Sequence, residues 1–106
     1  MGQADKILEK IQSAEVGRLL ARWGVRRLKV VGSRARGEAL EGSDLDLLVE
    51  FQPMPPEAHG EAYLGLLLDL ERVLGVPVDL IEEHTLRNPF VRAALERDAR
   101  VVYAAS

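Results

Sequence analysis

GSRARGEALEGSDLDLLVEF, residues 32–51, separates Gly32-Ser33 from Asp44 by ten residues and then enters a run that alternates in polarity. Leu45, Leu47, Val49 and Phe51 fall on one side of that run, and Asp44, Asp46, Leu48 and Glu50 on the other. A period of two is the signature of a strand with one buried face. Asp44–Phe51 therefore reads as a strand bearing two carboxylates on the same face, since residues two apart in a strand point the same way.

Outward from this strand, Val25–Val31 reads as a preceding strand that runs into the Gly32-Ser33 turn, and Arg34–Leu40 as a short helix. Upstream, residues 3–23 carry helical periodicity. Ile7, Leu8 and Ile11 share a face, and Val16, Leu19, Leu20 and Trp23 repeat it. Ser13 is a capping residue, so this is one helix with a break near residue 12 or two helices, and Gly24 stops it. Downstream, the prolines and Gly60 of PMPPEAHG, residues 53–60, predict a loop. Residues 61–74 follow as a helix with Leu64, Leu67, Leu68 and Leu74 on its buried side, stopped by Gly75 and Pro77. Val76–Ile81 is a third strand. Asn88 caps a last helix with Pro89 in its first turn and Phe90, Val91, Ala94 and Leu95 facing inward, and Arg100–Ala104 makes a final short strand. The expected fold is a single α+β domain over residues 1–106, a small mixed sheet flanked by helices.

The 106 residues carry 47% apolar and 29% charged side chains, ordinary for a globular domain with one core. No apolar run is long enough to span a membrane, and MGQADKILEK lacks the features of a signal peptide. The absence of cysteine rules out disulfides and thiolate metal sites and fits a cytoplasmic protein. A net charge of −3 argues against a broad surface for long nucleic acids, while a small nucleotide neutralised by a metal remains compatible.

Two carboxylates held side by side repel unless a cation lies between them. Magnesium takes one or two carboxylates together with substrate phosphates. Asp79, in Val78-Asp79-Leu80, lies on a strand able to run alongside, and a carboxylate between apolar neighbours needs a partner. Three carboxylates at Asp44, Asp46 and Asp79 can hold two ions, which clamp the attacking and leaving oxygens of a displacement at phosphorus. Gly32 lets a phosphate approach the backbone, Ser33 adds a hydroxyl, and Arg34 and Arg36 have the geometry to neutralise a triphosphate. Gly-Ser alone is a turn and Asp-x-Asp alone a solvated face. All four positions at this spacing arise in a random chain of this length with a probability on the order of 10⁻³. His59 and His84 read as solvated, Trp23 as core, and Tyr63 and Tyr103 as packing residues.

Gly32, Ser33, Asp44, Asp46 and Asp79 together resemble the signature of the nucleotidyltransferase superfamily that includes DNA polymerase beta and the kanamycin nucleotidyltransferases. The ten-residue gap, Ala35-Arg36-Gly37 and Val78-Asp79-Leu80 look most like its minimal members, the MNT proteins, over about residues 13–103. The resemblance implies a magnesium-dependent antitoxin that transfers AMP from ATP to a tyrosine of a HEPN-domain toxin. It implies triphosphate binding by Gly32 and Ser33, metal coordination by Asp44 and Asp46, and help from Asp79 in activating the attacking hydroxyl. With no residues left for a second domain, the partner is expected to supply the second substrate. The alternatives are an antitoxin that works by binding alone, which has no need to keep like charges together, and transfer to a small molecule such as an antibiotic.

Overall fold

Strand β2 (Leu45–Phe51) occupies an interior position in a four-stranded sheet, and its two neighbours set the geometry of everything near Asp46. The computed structural model describes residues 5–40 and 42–105. In chain order these form α1 (Lys6–Ile11), α2 (Ala14–Arg22), β1 (Val25–Val31), α3 (Gly32–Ala35), β2, α4 (Pro56–Leu74), β3 (Val78–Glu82), a 3₁₀ turn (Glu83–Thr85), α5 (Pro89–Arg97) and β4 (Arg100–Ala104). The sheet order is β3-β2-β1-β4. β1 runs antiparallel to β2 and to β4, whereas β2 and β3 are parallel and joined through α4. The expected α+β architecture with a small mixed sheet is the one observed. Residues 3 and 4 of the expected first helix lie outside the described residues.

The break near residue 12 is real. Asp5 caps α1 by accepting from the Ile7 and Leu8 amides, and the Ser13 hydroxyl caps α2 by accepting from Val16 N–H. Each cap satisfies amides that the helix itself leaves without partners. One face of the sheet, with Leu28, Val30, Leu45, Leu47, Val49 and Leu80, packs on Val16 and Leu20 of α2 and on Leu66, Leu70 and Leu74 of α4. These side chains are almost completely removed from water, each contributing about 1.5–3 kcal/mol of transfer free energy.

Five expectations need correction. Residues 56–60 belong to α4 and not to a loop, because Pro56 sits in the first turn, where a missing N–H costs nothing. The buried row of α4 is Ala62, Leu66, Leu70 and Leu74, while Leu64 and Leu68 are 59% and 63% exposed. The leucines are dense enough to fit several helical frames. Two contacts identify the frame adopted: Gly65 lies against the Trp23 ring, and the Tyr63 hydroxyl donates to the Leu80 carbonyl. The helix after the glycine turn spans Gly32–Ala35 and not Arg34–Leu40, and β3 begins at Val78 and not Val76. Finally, α5 exists with its Asn88 cap, yet it buries none of its side chains: Phe90 is 84% exposed and Val91 46%. Its periodicity describes a face that nothing within the described residues covers.

Trp23 is fixed by an indole N–H bond to Asp69 (2.9 Å) and by the gap that Gly65 leaves in α4. A Cβ at Gly65 would lie 2.4 Å from the ring, whereas one at Gly60 meets nothing within 4 Å. In a helix interior, alanine is ordinarily favoured over glycine by about 1 kcal/mol. Gly60→Ala is thus expected to raise the thermal midpoint, and Gly65→Ala to lower it through overpacking of about 1–3 kcal/mol. Thermal unfolding of the two variants beside the wild type checks the opposite signs.

Candidate active site

β1 ends at Val31 opposite Asp46, and β3 brings Asp79 opposite the same residue from the other side. In a parallel pair, residues in register lie on the same face, with strands roughly 4.8 Å apart. The register of the sheet therefore places Asp79 beside Asp46, and Asp44 lies two residues back along the same chain. Asp46 is half-buried, and Asp44 and Asp79 are exposed. Asp44 stands just before the strand, whose first residue is Leu45; the Leu45 amide donates to the Pro77 carbonyl (2.9 Å).

The carboxyl of Asp46 is held above the ordinary carboxylate range. Burial is the main cause, followed by repulsion from Asp79 and then from Asp44. The same three residues were singled out in the sequence, and Asp46 feels the charge of both others. Gly32 closes the site from the β1 side. Its φ is +72°, a region that residues with a Cβ avoid, and a Cβ there would lie 2.5 Å from Asp46 Oδ2. Glycine is needed at this point for its backbone and for its missing side chain alike. Ser33 follows, half-buried, with its carbonyl accepting from Glu38 N–H (2.8 Å).

Both arginines are engaged by other protein groups. Arg34 is buried and bonded to Asp5 and to the Ser43 carbonyl, and Arg36 pairs with Glu38 (2.7 Å) and lies 3.7 Å from Asp98. Arg36 remains at the surface beside the turn. Sequence reading missed Asp5, Ser43, Glu38 and Asp98 as their partners, because separations this variable carry no periodic signal. His59, read as solvated, is half-buried, bonded to Glu82 and edge-on to Phe51. It lines a cleft of about 380 Å³ with Met54, His84 and Arg92, toward the end of β2 away from the aspartates.

Among the described residues, no three side chains of histidine, aspartate or glutamate already stand arranged around a cation. The chemistry of Asp44, Asp46 and Asp79 is nevertheless of the donor type that magnesium takes. The three groups are oxygen donors, two of them open to solvent, and the third has a raised pKa that a cation would reverse.

The family described as nucleotidyltransferase domain matches residues 15–102. The protein adenylyltransferase MntA of Thermococcus cleftensis is 38% identical, with 91% of each chain covered. A solved structure provisionally described as a minimal nucleotidyltransferase is 40% identical, with a TM-score of 0.72 over 94% of this chain and 98% of that one. A complex described as a tri-AMPylated Shewanella oneidensis HEPN toxin with its MNT antitoxin matches in fold. It is 17% identical, with a TM-score of 0.55 over 92% of this chain and 73% of the matched one. Among the described residues, no helix is long and apolar enough to cross a membrane.

A raised carboxyl pKa has a signed consequence. Above its folded-state pKa the ionised Asp46 opposes folding, and below the unfolded-state value that penalty is gone. Asp46→Asn is expected to raise the metal-free thermal midpoint at pH 7 by roughly 2–5 °C. The gain shrinks as pH falls through the carboxylate range, which calorimetry at stepped pH would follow. Gly32→Ala is expected to act oppositely, costing about 1–2 kcal/mol for the backbone alone.

Proposed function

Because the chain belongs to the nucleotidyltransferase domain family, we propose that it transfers AMP from ATP to a tyrosine hydroxyl of a HEPN-type toxin and so acts as that toxin's antitoxin. The observation that carries this reading is the pairing of Asp46 with Asp79 across β2 and β3, with Asp44 alongside and Gly32 closed against Asp46. A protein that neutralised its partner by contact alone would gain nothing from holding three like charges together, one of them at a cost in stability.

The acceptor oxygen attacks the α-phosphorus of ATP. A new O–P bond forms as the bond to the β-phosphate oxygen breaks, pyrophosphate leaves, and the proton of the hydroxyl passes to a carboxylate. Asp79, exposed at the edge strand, takes it in this reading. Asp44 and Asp46, with Asp79, would hold magnesium, which supplies charge stabilisation to the phosphates and the leaving group. The Gly32-Ser33 turn receives the triphosphate with the Ser33 hydroxyl as donor, and the missing Gly32 Cβ leaves room for the Asp46 carboxylate beside it. Arg36, at the surface beside the turn, is within the same region and neutralises phosphate charge once released from Glu38.

Transfer of label from α-³²P-ATP to a HEPN-domain toxin tests the proposal. Charge stabilisation of several kcal/mol is at stake, at 1.36 kcal/mol per tenfold. The Asp44→Ala/Asp46→Ala double variant is therefore expected to lose about 10³-fold or more in rate, and Asp79→Asn about 10²–10⁴-fold. Equal labelling by wild type and double variant would overturn it.

A further inference from the structure

Arg34 occupies an unusual place for a cation. It is only 4% exposed and lies in α3, directly after the Gly32-Ser33 turn. Its Nη1 donates to both carboxylate oxygens of Asp5 (3.1 and 3.0 Å), and its Nη2 donates to the Ser43 carbonyl (2.6 Å), one residue before Asp44. Its Nε–H is buried without a partner. Asp5 is committed in turn, since its Oδ1 also accepts from the Ile7 and Leu8 amides (2.9 and 3.3 Å) at the start of α1. One planar fork thus joins three segments that are distant in sequence: the first turn of α1, the glycine turn, and the end of the loop that delivers Asp44.

A phosphate ligand needs donors turned toward solvent. Arg34 has none, and to reach a nucleotide it would have to leave Asp5 and Ser43 together. We propose that Arg34 is a positioning residue and not a phosphate ligand. Through Asp5 and the Ser43 carbonyl it fixes the Ser43–Asp44 junction against the Gly32-Ser33 turn, so that Asp44 meets Asp46 and Asp79 at the right distance for cation and nucleotide. Asp5 becomes a remote support of the site. Lysine cannot replace the arginine, because a single ammonium cannot span both partners as a planar fork does.

The proposal rests on the transferase reading for its kinetic consequence but not for its structural one, and the test separates the two. Asp5→Ser keeps a capping hydroxyl for α1 while shortening the side chain out of reach of Arg34. Hydrogen exchange of the metal-free chain is expected to speed up by roughly tenfold or more at the Ser43 and Leu45 amides in Arg34→Ala, Arg34→Lys and Asp5→Ser. These amides bond to the Leu40 and Pro77 carbonyls in the wild type. In AMP transfer the same three variants are expected to lose about 10–100-fold in kcat, with the KM for ATP within about threefold of wild type. Gly65→Ala serves as a destabilised control that leaves kcat unchanged below its thermal midpoint. Unchanged exchange at Ser43 and Leu45 would overturn the proposal. So would a raised KM with intact kcat in Arg34→Ala beside a wild-type Asp5→Ser, the pattern of a direct phosphate contact. If the wild type transfers no AMP, the function fails while the exchange result still decides the role of Arg34.

Discussion

The close approach of Gly32 to Asp46, inside a register that sets Asp79 on the other side of the same carboxylate, is the constraint on which the rest of this structure depends. Backbone hydrogen bonding fixes it more than side-chain attraction does. The antiparallel pairing of β1 with β2 delivers the glycine turn to one flank of Asp46, and the parallel pairing of β2 with β3 delivers Asp79 to the other. A slip of one residue in either ladder would turn the carboxylates to opposite faces. The apolar face of the same strands prevents that slip, because Leu45, Leu47 and Val49 would then have to leave the core.

The fold concentrates an unfavourable electrostatic feature at one spot and stabilises it from the other side of the sheet. Asp46 carries the repulsion of two neighbours and partial desolvation as well. Without a cation this opposes folding; a cation held there would relieve it. Such a site is held open by the packing of α2 and α4 beneath it, and the leucine and valine side chains there have no role in the chemistry beyond holding the strands in place.

Much of this was legible in the sequence, for identifiable reasons. The alternation from Leu45 to Phe51 has a single strand reading, and Asp44 and Asp46 inherit their shared face from it. Ser13, Asn88 and Gly75 act locally, through caps and a left-handed turn, so their positions survived into the structure. The frame of α4 did not, because leucines at 64, 66, 67, 68 and 70 satisfy more than one helical face and a contact with Trp23, far back in the chain, decides among them. The inward face expected of α5 failed for a related reason, since amphipathic spacing shows that a face exists and not that this chain covers it. At the site itself, the partners of the two arginines were the least legible. A guanidinium near a glycine turn suggests a phosphate, but Arg34 bonds to Asp5 and to the Ser43 carbonyl. Side-chain partners at separations of 9 and 29 residues leave no periodic trace.

The central claim is that Asp44, Asp46 and Asp79 form one electrostatic unit. A ¹³C carboxyl NMR titration of the metal-free chain, repeated on Asp79→Asn, examines it directly. The account predicts that Asp46 titrates above the ordinary aspartate range and that its midpoint falls in Asp79→Asn, while burial keeps it above that range. An Asp46 midpoint that is ordinary in the wild type, or unmoved by the loss of Asp79, would contradict it.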